Sequence, residues 1–229
     1  MTFNSEHPDS GSMTDLVAAK DRLILSLLRM GYIDTPEVEA AMRSVPREEF
    51  VLQELRDDAY VDAPLPIGSG QTISAPHMVA IMLERLRLRP GMNVLEVGAG
   101  SGYHAAAVAE LVRPGGHVYT VERLEALAEF ARRNLQRAAY SEDVTVVVAD
   151  GSRGLPEHAP YDRIFVACGA PSVPSPLVGQ LKEGGLMLVP VGGMHYQDLI
   201  KVEKRDGKLI KTNEGGCVFV PLVGEHGHS

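Results

Sequence analysis

The 229-residue chain contains only two cysteines, Cys168 and Cys217. That is too few for a disulfide framework, and neither sits in a CxxC or Cys/His ligand spacing, so a stapled secreted scaffold and a cysteine zinc site are both excluded. No stretch approaches the roughly 18 consecutive apolar residues that a membrane span needs. Residues 1–12 lack the basic and apolar regions of a signal peptide and read as a disordered tail. Long basic runs are missing too; Arg132-Arg133 is typical of the longest, and 22 Lys and Arg face 30 Asp and Glu, a formal net charge of −8. Such a field repels nucleic acid and anionic membranes. His195, His226 and His228 have no metal spacing, no Gly-Lys-Ser/Thr closes a P-loop, and no GxSxG elbow supports a serine hydrolase. The expectation is a soluble cytoplasmic protein with no nucleic-acid, membrane or metal partner.

What is present is one α/β pattern, with 45% apolar residues and a length that suits a single domain over 13–229. Leu16, Leu23, Ile24, Leu27 and Leu28 fall at helical spacing ahead of Gly31. Thr35-Pro36 starts a second helix, which ends near Ser44 because Val45 precedes a proline. From Asp62 to Ala75 the chain is rich in Pro and Gly and reads as a long, functional loop before a helix over Pro76–Arg87. Residues 13–90 thus form a helical and loop extension covering the site.

After Pro90-Gly91, strands and helices alternate. Strands are expected at Asn93–Val97, His117–Val121, Val144–Val148, Arg163–Ala167 and Leu186–Val191, with helices at Tyr103–Val112, Leu124–Ala139 and Pro176–Leu181. This implies a doubly wound, mostly parallel sheet over 91–225. A hairpin of Leu199–Lys204 and Lys208–Lys211, and a last strand at Cys217–Val220, make the carboxyl end antiparallel. Residues 226–229 read as a tail.

The chemistry concentrates in VLEVGAGSGY, Val94–Tyr103. A strand entering Gly98, Gly100 and Gly102 and then a helix lets backbone amides approach a ligand. The dinucleotide fingerprint GxGxxG fails, because Tyr103 stands where its third glycine belongs. Glu96, two residues before the first glycine, would repel a pyrophosphate but attract the amino group and sulfonium of S-adenosylmethionine. Glu122 lies twenty residues after Gly102, at a strand tip where a carboxylate accepts ribose hydroxyls. Asp150 ends the third strand, placed for the adenine amino group. Singly, each acid reads as a cap or a solvated strand end; jointly they fit one ligand.

With AYVDAPLPIGSGQTISAPHM, APYDRIFVACGAP, PLVGQLKEGGLMLVPVGG and VFVPLVGE added, the chain resembles the protein-L-isoaspartate O-methyltransferase family from about Asp15 to Glu225. The resemblance implies a Rossmann-like methyltransferase fold whose last two strands exchange places. It also implies methyl transfer from S-adenosylmethionine to the α-carboxyl of L-isoaspartyl residues in damaged proteins and peptides, which starts repair through a succinimide. By the same resemblance Ser74 is the catalytic-site serine, and Ile73, Ser74 and His77 line the cofactor. Glu96, Gly98, Gly100, Glu122, Asp150 and Gly151 match donor-binding positions, and Asp62 and Val220 lie near the isoaspartyl group. Ala99 and Cys168-Gly169 depart from the family pattern. Read from its position alone, Ser74 is the cap of the helix at Pro76, a role compatible with the catalytic one. Cys168 reads as a small core residue. Transfer to another acceptor, a binding module without catalysis, and a nicotinamide-dependent oxidoreductase are the competing readings.

Overall fold

A computed structural model describes residues 10–228. Helices α1 (Ser10–Arg29) and α2 (Pro36–Ser44) come first. Gly31, with φ 69°, takes the chain away from α1. Thr35 caps α2, its hydroxyl accepting from Val38 N at 3.4 Å, and Pro36 occupies the first turn. Strands β1 (Leu65–Gly68) and β2 (Gln71–Ile73) then lead into α3 (Pro76–Leu86). The alternating part follows as β3 (Asn93–Val97), α4 (Tyr103–Val112), β4 (His117–Glu122), α5 (Glu125–Arg137), β5 (Val144–Val148), β6 (Tyr161–Val166), α6 (Ser175–Gln180) and β7 (Leu181–Gly192). β8 (Gln197–Arg205) and β9 (Lys208–Cys217) complete the chain's regular elements.

The main sheet has seven strands in the order β5-β4-β3-β6-β7-β8-β9. Pairings from β5 to β7 are parallel, and β8 and β9 join antiparallel. β8 lies between β7 and β9, the arrangement that the implied exchange of the last strands describes. The β8–β9 hairpin turns at Asp206-Gly207, both with positive φ, as a twisted two-residue loop requires.

Alternation along the strands divides the core into two layers. Val94, Val118, Phe165 and Leu188 point into a large cluster with α1 to α5. Leu95, Val97, Val121, Ile164, Val166 and Val189 point to the other face, under α6 and the short 3-10 turns around Leu155. Ala105, Ala106, Ala107 and Ala109 are fully buried. These small side chains let α4 lie close on β4 and β5.

Four details depart from the sequence expectation. The loop Asp62–Ala75 contains the β1–β2 hairpin, because Gly68, Ser69 and Gly70 all accept positive φ and fold the segment on itself. Cys217–Val220 is not a separate strand. Its first residue ends β9, and the chain then crosses to the segment after β6, where Gly169 N donates to Val220 O at 2.8 Å and Leu222 N to Gly169 O at 2.7 Å. Residues 10–12, expected in the tail, open α1, while 1–9 lie outside the described residues. His226 to His228 are tied back, since His228 N donates to Leu222 O at 2.7 Å and His226 N to Ser152 Oγ at 3.0 Å. Among the described residues no helix is long and apolar enough to cross a membrane.

Candidate active site

β3 is followed in sequence by its neighbour on one side, β4, and flanked on the other by β6. Such a switch in winding opens a crevice beyond the carboxyl ends of the strands. A cavity of about 170 Å³ lies there, walled by the glycine turn, the end of β4, the segment Gln71–Ser74, Ala167-Cys168 and Val220–Val223.

The turn is built for close approach. Gly98, Gly100 and Gly102 have φ of 98°, 53° and 88°, values that side chains rarely adopt. A Cβ at Gly98 would stand 3.1 Å from Cys168 Sγ. Gly100 N donates to Glu122 Oε2 at 3.1 Å, and Leu124 N donates to Glu122 Oε1 at 3.0 Å. Glu122 therefore fastens the turn to the tip of β4 while lining the cavity. Gly102 does not line it. It begins α4, where a Cβ would meet Leu135 of α5 at 3.1 Å.

Glu96 is wholly buried. Its register partner on β4, Thr120, donates to Oε2 at 2.6 Å, and Oε1 has no partner among the described residues. Burial pushes the Glu96 carboxyl up to about 8, the Thr120 bond opposing and the charge of Glu122 adding to the rise. An orphaned buried carboxylate oxygen on a cavity wall calls for a cationic or N–H-bearing ligand. Cys168 has the character expected of a core residue, since burial raises its thiol to about 12.

Ile73 and Ser74 also line the cavity. Ser74 does not cap α3, because the cap position is Ala75 and no side chain of the cap is bonded. The capping acceptor is Asp62, whose Oδ1 accepts from both His77 N and His77 Nδ1 at 2.9 Å. Ser74 is instead held through its backbone: the wholly buried Arg47 donates from Nη2 to Ser74 O and from Nε to Ala59 O, each at 2.8 Å. Arg47 also stacks 4.8 Å above the Tyr103 ring.

The structure thus brings Ile73, Ser74, Glu96, Gly98, Gly100, Glu122, Gly151 and Val220 to one cavity, and leaves Asp62, His77, Gly102 and Asp150 off its wall. Asp150 accepts from Ser152 N at 2.9 Å, Ser152 Oγ at 2.7 Å and Glu225 N at 2.9 Å. Burial works against its charge, but these bonds outweigh it and hold its pKa below the ordinary value. It therefore locks the carboxyl-terminal segment over the end of β5. Sequence reasoning missed Arg47, Thr120 and His104. Strand register alone could have found Thr120, as the mate of Glu96; the other two depend on packing.

A model of the family described as protein-L-isoaspartate(D-aspartate) O-methyltransferase matches residues 18–227. The chain belongs to the protein-L-isoaspartate O-methyltransferase family. The family's enzyme from Methanopyrus kandleri is 60% identical over 210 residues, covering 91% of this chain and 93% of that protein. The one from Hyperthermus butylicus is 59% identical over 217 residues, with 91% and 90% covered. Among solved structures, one from Plasmodium falciparum described as a protein-L-isoaspartate O-methyltransferase with S-adenosyl-L-homocysteine superposes with a TM-score of 0.81 at 30% identity, covering 90% of this chain and 98% of that one. A second protein-L-isoaspartate O-methyltransferase structure gives 0.81 at 33% identity, covering 91% and 67%.

Proposed function

We propose that the protein uses S-adenosylmethionine to methylate the α-carboxyl of L-isoaspartyl residues in damaged proteins and peptides, which initiates their repair through a succinimide. The observation that carries this reading is a single cavity lined at once by Glu96, the glycine turn, Glu122 and Ser74. The donor supplies an electrophilic methyl group on a sulfonium. The unpaired Oε1 of Glu96 suits its cationic end, and Glu122 suits its ribose hydroxyls. Gly98 and Gly100 leave the backbone bare where the ligand must come close, whereas Gly151 is demanded by packing, since a Cβ there would lie 2.6 Å from Val97 Cγ1.

The acceptor needs no general base. A carboxyl with a pKa near ~4 is ionised at neutral pH. In keeping with this, the titratable wall residues Cys168 and His104 are both held neutral by burial, at about 12 and about 3. What remains is positioning and removal of water. In this reading Ser74 donates its hydroxyl to the substrate carboxylate, and the bond from Arg47 to Ser74 O fixes the backbone that carries it. Val220 forms the neighbouring wall. Asp62 and His77 contribute by setting the first turn of α3, directly behind Ser74, and Asp150 by fixing the cover at Ser152 and Glu225. Methylation turns the carboxyl into an ester, so the following backbone nitrogen can displace methanol and close the succinimide. The two cysteines are free, which suits a reducing cytoplasm.

Ser74→Ala separates binding from chemistry. With an isoaspartyl peptide as acceptor, kcat is expected to fall by about 100-fold to 1000-fold, the range for loss of one positioned donor, while donor Kd changes little. Equal loss in both would return Ser74 to a purely structural role.

A further inference from the structure

Among the buried polar atoms that lack a hydrogen-bond partner within the described residues, those on cavity-lining residues are Glu96 Oε1 and both ring nitrogens of His104. His104 is the second residue of α4 and only 7% exposed. Its ring lies 4.4 Å, centroid to centroid, from Phe165. Phe165 is the register partner of Glu96 on β6, as Thr120 is on β4. His104 and Glu96 therefore occupy the same face of the sheet, one strand apart, under the amino end of α4.

A neutral imidazole carries one N–H donor and one acceptor nitrogen, and burying both without partners is costly. Packing on Phe165 does not explain the choice, because an apolar side chain would pack there and leave nothing unpaired. Burial keeps the ring neutral, with its pKa lowered to about 3, so it cannot serve as a cation. Its N–H is still a good donor to an anion. Beside it, Glu96 offers the complementary acceptor. An ammonium acceptor and a carboxylate donor side by side match one kind of group, an α-amino acid zwitterion.

We infer that His104 binds the carboxylate of the donor's amino-acid end through a ring N–H, while Glu96 receives its ammonium group. This rests on the reading of the cavity as the S-adenosylmethionine site and adds a residue to it.

The test is calorimetric binding of two probes, S-adenosylhomocysteine and 5′-methylthioadenosine, the second lacking the amino-acid end. For His104→Phe, which keeps the ring stack and removes the nitrogens, the Kd for S-adenosylhomocysteine should rise at least about 10-fold, with methylthioadenosine unchanged. His104→Gln, which restores an N–H, should recover part of the loss. Equal weakening of both probes, no weakening of either, or a Gln variant no better than Phe would overturn the inference. Should the Phe variant fail to fold, nitrogen NMR of the wild-type imidazole decides: its ring nitrogen signal should move on adding S-adenosylhomocysteine and stay with methylthioadenosine, and the same response to both would again overturn it. A wild-type protein that binds neither probe would remove the donor reading itself, and this inference with it.

Discussion

Glu96 is the residue whose energetics most clearly reflect the burial of a carboxyl group. Its folded pKa is about 8 against an ordinary 4.5. The sign follows from proton counting: between those two values the folded state binds a proton that the unfolded state has lost, so stability falls as pH rises through this window. The contribution is complete below about pH 4.5 and gone above about pH 8. Its size is of order a few kcal/mol. Glu96→Gln keeps a polar group of the same shape and cannot titrate. The empty variant should therefore match the parent near pH 5 and unfold at a higher temperature near pH 8.5, while binding S-adenosylhomocysteine more weakly. A parallel fall of both melting curves with pH would contradict this account of the site. The chemistry of Glu96 and Glu122 was legible because each stands at a fixed offset from a glycine turn. Arg47 was not: its bond to Ser74 spans 27 positions in sequence, and no local pattern marks an arginine that will be buried.

At the level of elements, the start of α3 carries the acceptor wall and depends on a residue 15 positions upstream, Asp62. Replacing an N-cap acceptor by alanine typically costs about 1 kcal/mol. Asp62→Ala should lower the urea unfolding free energy by about that amount, whereas Asp62→Asn, which retains Oδ1 as acceptor, should lose little. If Asp62→Ala left stability untouched, the remote cap would be idle and Asp62 would have to act on the substrate alone. Most elements were legible, since five parallel strands and their crossover helices write strong local patterns in Val, Ile and Ala. The β1–β2 hairpin was hidden because its Pro and Gly content reads as loop, and the departure of Cys217–Val220 from strand was hidden because the bonds that draw it aside go to Gly169, far away in sequence.

For the molecule as a whole, the cavity joins pieces that fold in different parts of the chain: the extension with Ser74, the β3–β4 tips, and the carboxyl-terminal Val220–Val223. A ligand that spans them stabilises the folded state by mass action. S-adenosylhomocysteine at 100 times its Kd should add about 2.7 kcal/mol, which for a chain of this size corresponds to a rise in Tm of roughly 5–10 °C; no rise would mean that the cavity does not receive the ligand. Fold class was legible from the order of strands and helices, and the arrangement of the last strands only from the family resemblance. The unequal layers were not, because nothing local says that α1 to α5 share one face while α6 and short turns cover the other.

The central claim is the acceptor, and it is tested by incubating the protein with methyl-labelled S-adenosylmethionine and two peptides that differ only in one normal or isoaspartyl linkage. Label should enter the isoaspartyl peptide alone, with tandem mass spectrometry placing the methyl on its α-carboxyl. Equal labelling of both peptides, or of neither while the donor binds, would contradict the assignment.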